Sequence, residues 1–178
     1  MKKTRKDHPD HEDLEKAIQL LKETAAEINK KKGESMKFQE IIDLQQKITN
    51  YPIQKLGDLA NPDRIKVLEA ELEERISSNS FKDRHVFFFN DMLLCTKSGA
   101  QQGFFKNGTV VYEFKWAYPL SSLSSLETTS KEVDATRPHM LVLNWQAEKG
   151  IERRIMSFSK EEEKSEWAEH FRRALGPF

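Results

Sequence analysis

Apolar residues in the first fifty positions recur at helical spacing. The intervals between them alternate between four and three residues, which places one series on a single stripe of a helix: Leu14, Ile18, Leu21, Ala25 and Ile28. We expect Gly33 to stop or kink this helix, and a second series with the same period covers residues 38–48. It ends before Pro52, because a residue preceding proline is biased away from the α region. The pattern predicts one long broken helix, or two, with too few apolar residues to form a core alone.

Beyond Pro62 the apolar period changes to two. Leu68, Ala70 and Leu72 alternate with glutamates, which predicts a half-buried strand. Asn90-Asp91 separates two strand-forming runs and predicts a tight hairpin, since these residues tolerate positive φ. Further strands are predicted over residues 110–118, 123–128, 139–145 and 151–158. About seven short strands with regular turn signals are typical of a small barrel or sandwich.

The C-terminus has the pattern of an amphipathic helix. Ser159 and Glu162 have the S-x-x-E spacing of a capping box, so we expect the Ser159 hydroxyl to cap the first turn. Trp167 and Phe171 then fall on one face as predicted core residues, and Gly176-Pro177 stops the helix. One bulky apolar face after a run of strands predicts that this helix covers an open end or face of the barrel.

Composition narrows the functional classes. The formal net charge of the 178 residues is +0, so no global field attracts nucleic acid or an anionic membrane, and such attraction requires a local patch. The single cysteine, Cys95, excludes an internal disulfide and suits a reducing compartment, where we expect a structural thiol. No apolar run approaches the roughly 20 residues of a membrane span, and the basic N-terminus lacks the apolar segment of a signal peptide. We therefore expect a cytoplasmic protein.

Motifs of catalysis and cofactor binding are missing from the sequence. It has neither a glycine-rich phosphate loop nor a G-x-S-x-G nucleophile elbow. His8 and His11 are close together but have no cysteine partners, so we expect no metal site. The sequence predicts no catalytic residue, cofactor or metal.

Two phrases in the strand region resemble those of a known family. The sequences FFFNDMLL at residues 87–94 and YPLSSL at residues 118–123 are similar to the "LFLFNDLLL" and "IPLSSL" phrases of pleckstrin-homology (PH) domains in Dbl-family Rho guanine-nucleotide exchange factors. Residues 13–17 and 25–29 resemble the end of the last helix of the Dbl-homology (DH) domain that precedes the PH domain there. The resemblance implies an α+β fold: a PH-like seven-stranded antiparallel barrel capped by a C-terminal helix and preceded by a long helical segment. It divides the chain into residues 1–60, the end of a DH domain, and residues 61–178, the PH domain.

The resemblance also implies a function. This chain would be a docking and regulatory module that contacts membrane phosphoinositide, protein partners or both, and so positions the exchange domain at the membrane periphery. A Rho-family GTPase would be a partner through the parent protein, because the earlier DH helices that contact the GTPase are absent here. The alternatives are that the chain retains exchange activity on a Rho-type GTPase, or that it is a protein scaffold that ignores lipid. Its N-terminal apolar stripe would pack on the DH domain, fold back on the barrel or self-associate.

Basic residues at the first hairpin are the implied headgroup-binding site. The residues that match the family pattern, with two that flank the next loop, are Arg75, Lys82, Arg84, Lys97 and Lys106. Lys82 and Arg84 lie two apart on a strand and so point to the same side, where a phosphate needs converging donors. Acidic neighbours favour a solvated charged face as the alternative, and any lipid docking is expected to be weak. Trp116 and Trp145 are interpreted either as core residues or as exposed interface anchors.

Overall fold

The first helix is continuous. The structure, a computed structural model, describes residues 11–78, 80–100, 110–128 and 136–176. Helix α1 (His11–Lys47) runs through Gly33 without a break, so the predicted stop is wrong, while the kink stays a prediction. A glycine inside a helix costs about 1 kcal/mol relative to alanine, and the good helix formers on both sides outweigh this cost. The helix ends before Asn50, which has a φ of 59°.

A single mixed sheet follows α1 and the short helix α2 (Ile53–Leu56). Its strands are β1 (Ile48–Thr49), β2 (Lys66–Ser77), β3 (Ser80–Phe89), β4 (Met92–Ala100), β5 (Val110–Pro119), β6 (Leu123–Glu127), β7 (Met140–Ala147) and β8 (Gly150–Ser157). The strand order is β1-β5-β4-β3-β2-β8-β7-β6. The seven strands predicted after Pro62 are confirmed, and they bend around one core as a PH-like fold. Two details differ from the expectation. Among the described residues the ladder of hydrogen bonds does not close on itself, and the two-residue β1 adds a parallel pair with β5.

The main core lies inside the curved sheet, beneath helix α3 (Glu161–Leu175). The α3 side chains Trp167 and Phe171 are 2% and 0% exposed. Phe88 contacts both rings edge-on. The predicted role of α3 as the cover of the barrel, and of these two residues in its core, is confirmed.

The capping box at the start of α3 is wrong. Lys160 is extended and takes the N-cap position, with no side-chain cap. Ser159 is therefore one residue too early to reach the first-turn amides, and its hydroxyl donates to the Glu163 carboxylate at 3.0 Å. Three glutamates in the first turn place negative charge beside the positive end of the helix dipole instead.

A second cluster lies on the outer face of the sheet, where α1 meets it. Ile41 and Leu44 of α1 pack with Leu59 of the following segment against strands β3 and β4, through side chains that include Phe87, Phe89, Met92 and Leu94. Ile41 and Leu59 are 1% and 0% exposed. The end of α1 is therefore attached to the sheet by packing as well as by chain connection.

The hairpin at Asn90-Asp91 is confirmed, although neither residue adopts the positive φ that these residue types tolerate. Among the described residues, Asn50 is the one non-glycine residue with a positive φ. Asn90 accepts a hydrogen bond from the Ile65 amide at 2.8 Å. The Asp91 carboxylate accepts from the Arg64 guanidinium at 2.6–3.0 Å. These polar side chains join the hairpin to the segment that follows α1.

Candidate functional site

Four basic side chains line one depression at the end of the sheet where strands β3, β4 and β5 meet. The depression has a volume of about 440 Å³. Its basic residues are Lys82, Arg84, Lys97 and Lys115, and Glu73, Phe81 and Asp83 complete the lining. Three of the five predicted headgroup-binding residues therefore come together.

The other two predicted residues are not part of this lining. Arg75 lies on β2, and its guanidinium donates to the carbonyl oxygens of Ser77 and Ser78 at 3.3 and 2.9 Å. It thereby holds the turn between β2 and β3. Lys106 lies outside the described residues, as do His8 and the side chain of His11. The role of all five residues in lipid binding stays a prediction.

Lys82 and Arg84 occupy one face of β3, but their environments differ. Lys82 is exposed, whereas Arg84 is 7% exposed. The Nε of Arg84 donates to the Glu74 carboxylate at 2.7 Å, and its Nη1 donates to the Asp83 carbonyl at 3.1 Å. The charge of Arg84 therefore has a buried partner, while that of Lys82 faces solvent.

Sequence reasoning missed Lys115, which a β-bulge on β5 places beside the depression. Cys95 pairs with Trp116, and the next residue of β4, Thr96, pairs with Phe114. Lys115 is thus the extra residue, and the bulge sends Phe114 to the outer cluster and Trp116 to the core. The Lys115 ammonium lies 2.7 Å from Glu113 and lowers the pKa of that carboxyl. Strict alternation in the sequence gives no signal for this bulge.

Acidic residues beside the depression moderate its positive charge. The Glu73 carboxylate accepts hydrogen bonds from Arg137 at 2.7 and 3.0 Å. These bonds, which outweigh the effect of partial burial, lower the pKa of Glu73 and keep it ionised. The Arg137 guanidinium also lies over the Phe81 ring at 4.0 Å. Arg137 was not among the predicted site residues, although it offsets the charge of Glu73.

The two candidate tryptophans, Trp116 and Trp145, and the single cysteine, Cys95, are buried in the core. Trp116 and Trp145 are 9% and 0% exposed, so they are not surface anchors. Trp116 Nε1 donates to Glu74 at 2.7 Å. Cys95 is fully buried, and burial raises the pKa of its thiol, as expected for a structural cysteine.

In the part of the chain that the structure describes, no helix is long and apolar enough to cross a membrane.

Seven consecutive strands bent around a core and capped by one C-terminal helix define the chain as a PH domain with a long helix before it. Residues 53–174 match the SOS1/NGEF-like PH domain model, and the chain belongs to this family. It is 33% identical over 99 residues to guanine exchange factor for Rac 30 of Dictyostelium discoideum, covering 55% of the chain and 6% of that protein. It is 30% identical over 124 residues to the human breakpoint cluster region protein, covering 70% and 8% respectively. The resemblance to PH domains of Rho exchange factors is confirmed.

Solved structures share the arrangement of the long helix and the PH domain. The DH/PH domains of p115-RhoGEF match with a TM-score of 0.64 and 15% identity, over 96% of this chain and 49% of that one. A structure concerned with the PH and C1 domains of the Vav1 exchange factor matches with a TM-score of 0.61 and 23% identity, over 96% and 41%. The chain therefore spans about half of these structures and a tenth or less of the curated relatives.

Proposed function

We propose that this chain is the docking module of a Rho-family exchange factor, which contacts anionic phosphoinositide weakly at the cytoplasmic membrane surface and so positions the exchange domain. Residues 1–60 are the end of the DH domain in this proposal, and residues 61–178 are the PH domain. A Rho-family GTPase is then a partner through the parent protein.

The convergence of four basic side chains on one depression is the observation that carries this proposal. Lysine supplies a point charge and arginine a planar fork, the two types of group that recognise phosphate. They lie on three adjacent strands, so the fold and not one flexible loop sets their spacing. Such a site suits a compact ligand with several phosphates.

The acidic lining supports weak docking. Glu73 and Asp83 oppose the four basic residues, and a positive excess remains. Each basic group near an anionic surface contributes about 1 kcal/mol, so a small excess gives reversible membrane contact. Further affinity then comes from other parts of the parent protein.

The packing of α1 supports the positioning role. Ile41, Leu44 and Leu59 attach the end of the helix to the outer face of β3 and β4, and the Arg64–Asp91 pair fixes the adjoining segment. A PH domain held at a membrane then restricts the orientations of whatever is attached to α1.

Vesicle sedimentation tests the docking role. We expect binding to phosphoinositide vesicles that Lys82→Ala/Lys97→Ala weakens about thirtyfold, because two charges of about 1 kcal/mol each are lost. The control Lys37→Ala/Lys149→Ala removes two exposed lysines away from the depression and should bind as the wild type does. Failure of the wild type to bind would overturn the docking proposal and favour the lipid-independent scaffold.

Release of a fluorescent nucleotide from a Rho-type GTPase tests the rival function. We expect the chain to leave the release rate unchanged, because the match to the family model begins at residue 53 and covers the PH domain. Acceleration of release would show that the chain is itself an exchange factor.

A further inference from the structure

Glu74 is a buried carboxylate beside the depression. It continues the inward-facing series of Leu68, Ala70 and Leu72 on β2, and it is 1% exposed. Its carboxylate accepts hydrogen bonds from Arg84 Nε and Trp116 Nε1, both at 2.7 Å, and lies 3.5 Å from Arg154 Nη1. Three donors from three different strands therefore meet on one carboxylate, which makes its position rigid.

Arg84 has hydrogen-bonding capacity left over. Of the five N–H donors of an arginine, one on Nε bonds to Glu74 and one on Nη1 bonds to the Asp83 carbonyl. The other three have no protein partner among the described residues, although the residue is 7% exposed and lines the depression. Among the described residues, no nitrogen of Arg84 is both fully buried and without a partner, so the unused donors are accessible to solvent and to a ligand in the depression. The unused donors lie on the Nη edge, which is the edge that binds two oxygens of a phosphate.

We propose that Glu74 is a positioning residue, which holds Arg84 by Nε so that the Nη edge of the guanidinium receives a phosphomonoester in the depression. This inference rests on the docking role proposed above. An arginine held in place before binding loses less conformational freedom when the ligand arrives. The negative charge of Glu74 costs little affinity, because Arg84, Trp116 and Arg154 already surround it.

The proposal specifies the class of ligand. The terminal phosphate of a phosphoinositide headgroup is a monoester with three free oxygens, and it can accept the fork while the lysines contact its remaining charge. The phosphate of phosphatidylserine is a diester. We therefore expect the wild type to bind phosphoinositide vesicles better than phosphatidylserine vesicles of equal surface charge, and to bind soluble inositol trisphosphate.

Two single substitutions separate positioning from simple charge. Glu74→Gln and Glu71→Gln each remove one negative charge from β2, and the Glu71 side chain is 77% exposed and absent from the lining of the depression. Simple electrostatics predicts tighter binding of inositol trisphosphate by both variants. Positioning predicts about tenfold to a hundredfold weaker binding by Glu74→Gln and a gain of about twofold or less by Glu71→Gln. Tighter binding by folded Glu74→Gln would overturn the proposal.

Arg84→Lys provides a second test that does not depend on the folding of Glu74→Gln. The lysine keeps the positive charge and an ion pair with Glu74 but lacks the planar pair of Nη groups. Positioning therefore predicts that the affinity of Arg84→Lys for inositol trisphosphate falls about tenfold or more. Wild-type affinity in Arg84→Lys would overturn the inference. If the wild type does not bind inositol trisphosphate or phosphoinositide vesicles, the docking proposal itself fails.

A spectroscopic measurement distinguishes positioning from a general structural role. The Nε–H resonance of Arg84 should be protected from solvent exchange in the ligand-free wild type and in Glu71→Gln. It should exchange faster in Glu74→Gln, because one amide oxygen must then serve both Arg84 Nε–H and Trp116 Nε1–H, while the core amides stay protected. Retained Nε–H protection in Glu74→Gln would show that the carboxylate does not hold the arginine and would contradict the inference.

Discussion

The two long helices of this chain use their apolar residues in opposite ways. Helix α3 has 15 residues and buries Trp167, Ala168 and Phe171 in the core of the sheet. Helix α1 has 37 residues, yet Leu21 and Ile28 are 69% and 60% exposed. An apolar stripe therefore predicts that a helix has a partner without showing where the partner is. If residues 1–60 are the end of a DH domain, as proposed above, the exposed stripe of α1 would pack on the rest of that domain.

Truncating one apolar residue on each helix should give the largest difference between the two helices, measured as the change in the free energy of unfolding. We expect Trp167→Ala to destabilise the protein by about 3–5 kcal/mol, because a large buried side chain leaves a cavity among Phe88, Phe158 and Phe171. Leu21→Ala, the control on α1, should change the free energy of unfolding by about 0.5 kcal/mol or less. Denaturant unfolding measures both. A similar loss from both variants would show that α1 is packed in solution.

Substitution of the residue that anchors α1 should detach one helix and spare the other. Ile41 is 1% exposed and belongs to the outer cluster, whose buried residues are distinct from those of the main core. We expect Ile41→Ala to reduce the opening free energy of the last turns of α1 by about 2–4 kcal/mol. Hydrogen exchange should then increase in α1 residues 38–47, while the amides of α3 keep their wild-type protection. Equal loss of protection in α3 would mean that the two clusters unfold as one unit.

The sequence predicted the order and type of the helices and strands better than it predicted where the helices begin and end. Period-two patterning located the strands, and the spacing of Trp167 and Phe171 identified the inner face of α3. The predicted break at Gly33 and the predicted cap at Ser159 were wrong. Each rested on one local residue preference, which neighbouring residues or tertiary contacts overrode.

The candidate site was predictable in part for similar reasons. Lys82, Arg84 and Lys97 were assigned to one end of the sheet, and the structure brings them to one depression. The burial of Glu74 could have been predicted from the sequence, because Glu74 is the next residue in the alternating series that ends at Leu72. The position of Lys115 depends on a bulge between β4 and β5, and that irregularity arises from the packing of both strands.

The smallest expected effect concerns how α3 begins. Glu161 accepts from His139 at 2.8 Å and from Lys164 at 3.2 Å, and these bonds lower the pKa of its carboxyl. A lowered pKa in the folded state stabilises the fold above the ordinary carboxyl range, and this stabilisation is lost as the pH falls through and below about 4. Because Glu161 is half exposed and screened by solvent, we expect Glu161→Gln to cost only about 0.3–1 kcal/mol at neutral pH. The difference from wild type should vanish in acid.

Glu162→Gln is the matched control for this effect. Glu162 lies in the same first turn, next to the same helix dipole, but has no ion pair among the described residues. Urea unfolding at neutral and acidic pH should therefore show a larger pH-dependent difference for Glu161→Gln than for Glu162→Gln. Equal profiles would mean that the helix dipole, and not the link to His139 and Lys164, stabilises the start of α3. At the first turn of helix α1, Glu12 pairs with Lys16 of the same helix, whereas Glu161 of α3 bonds to His139 outside its helix.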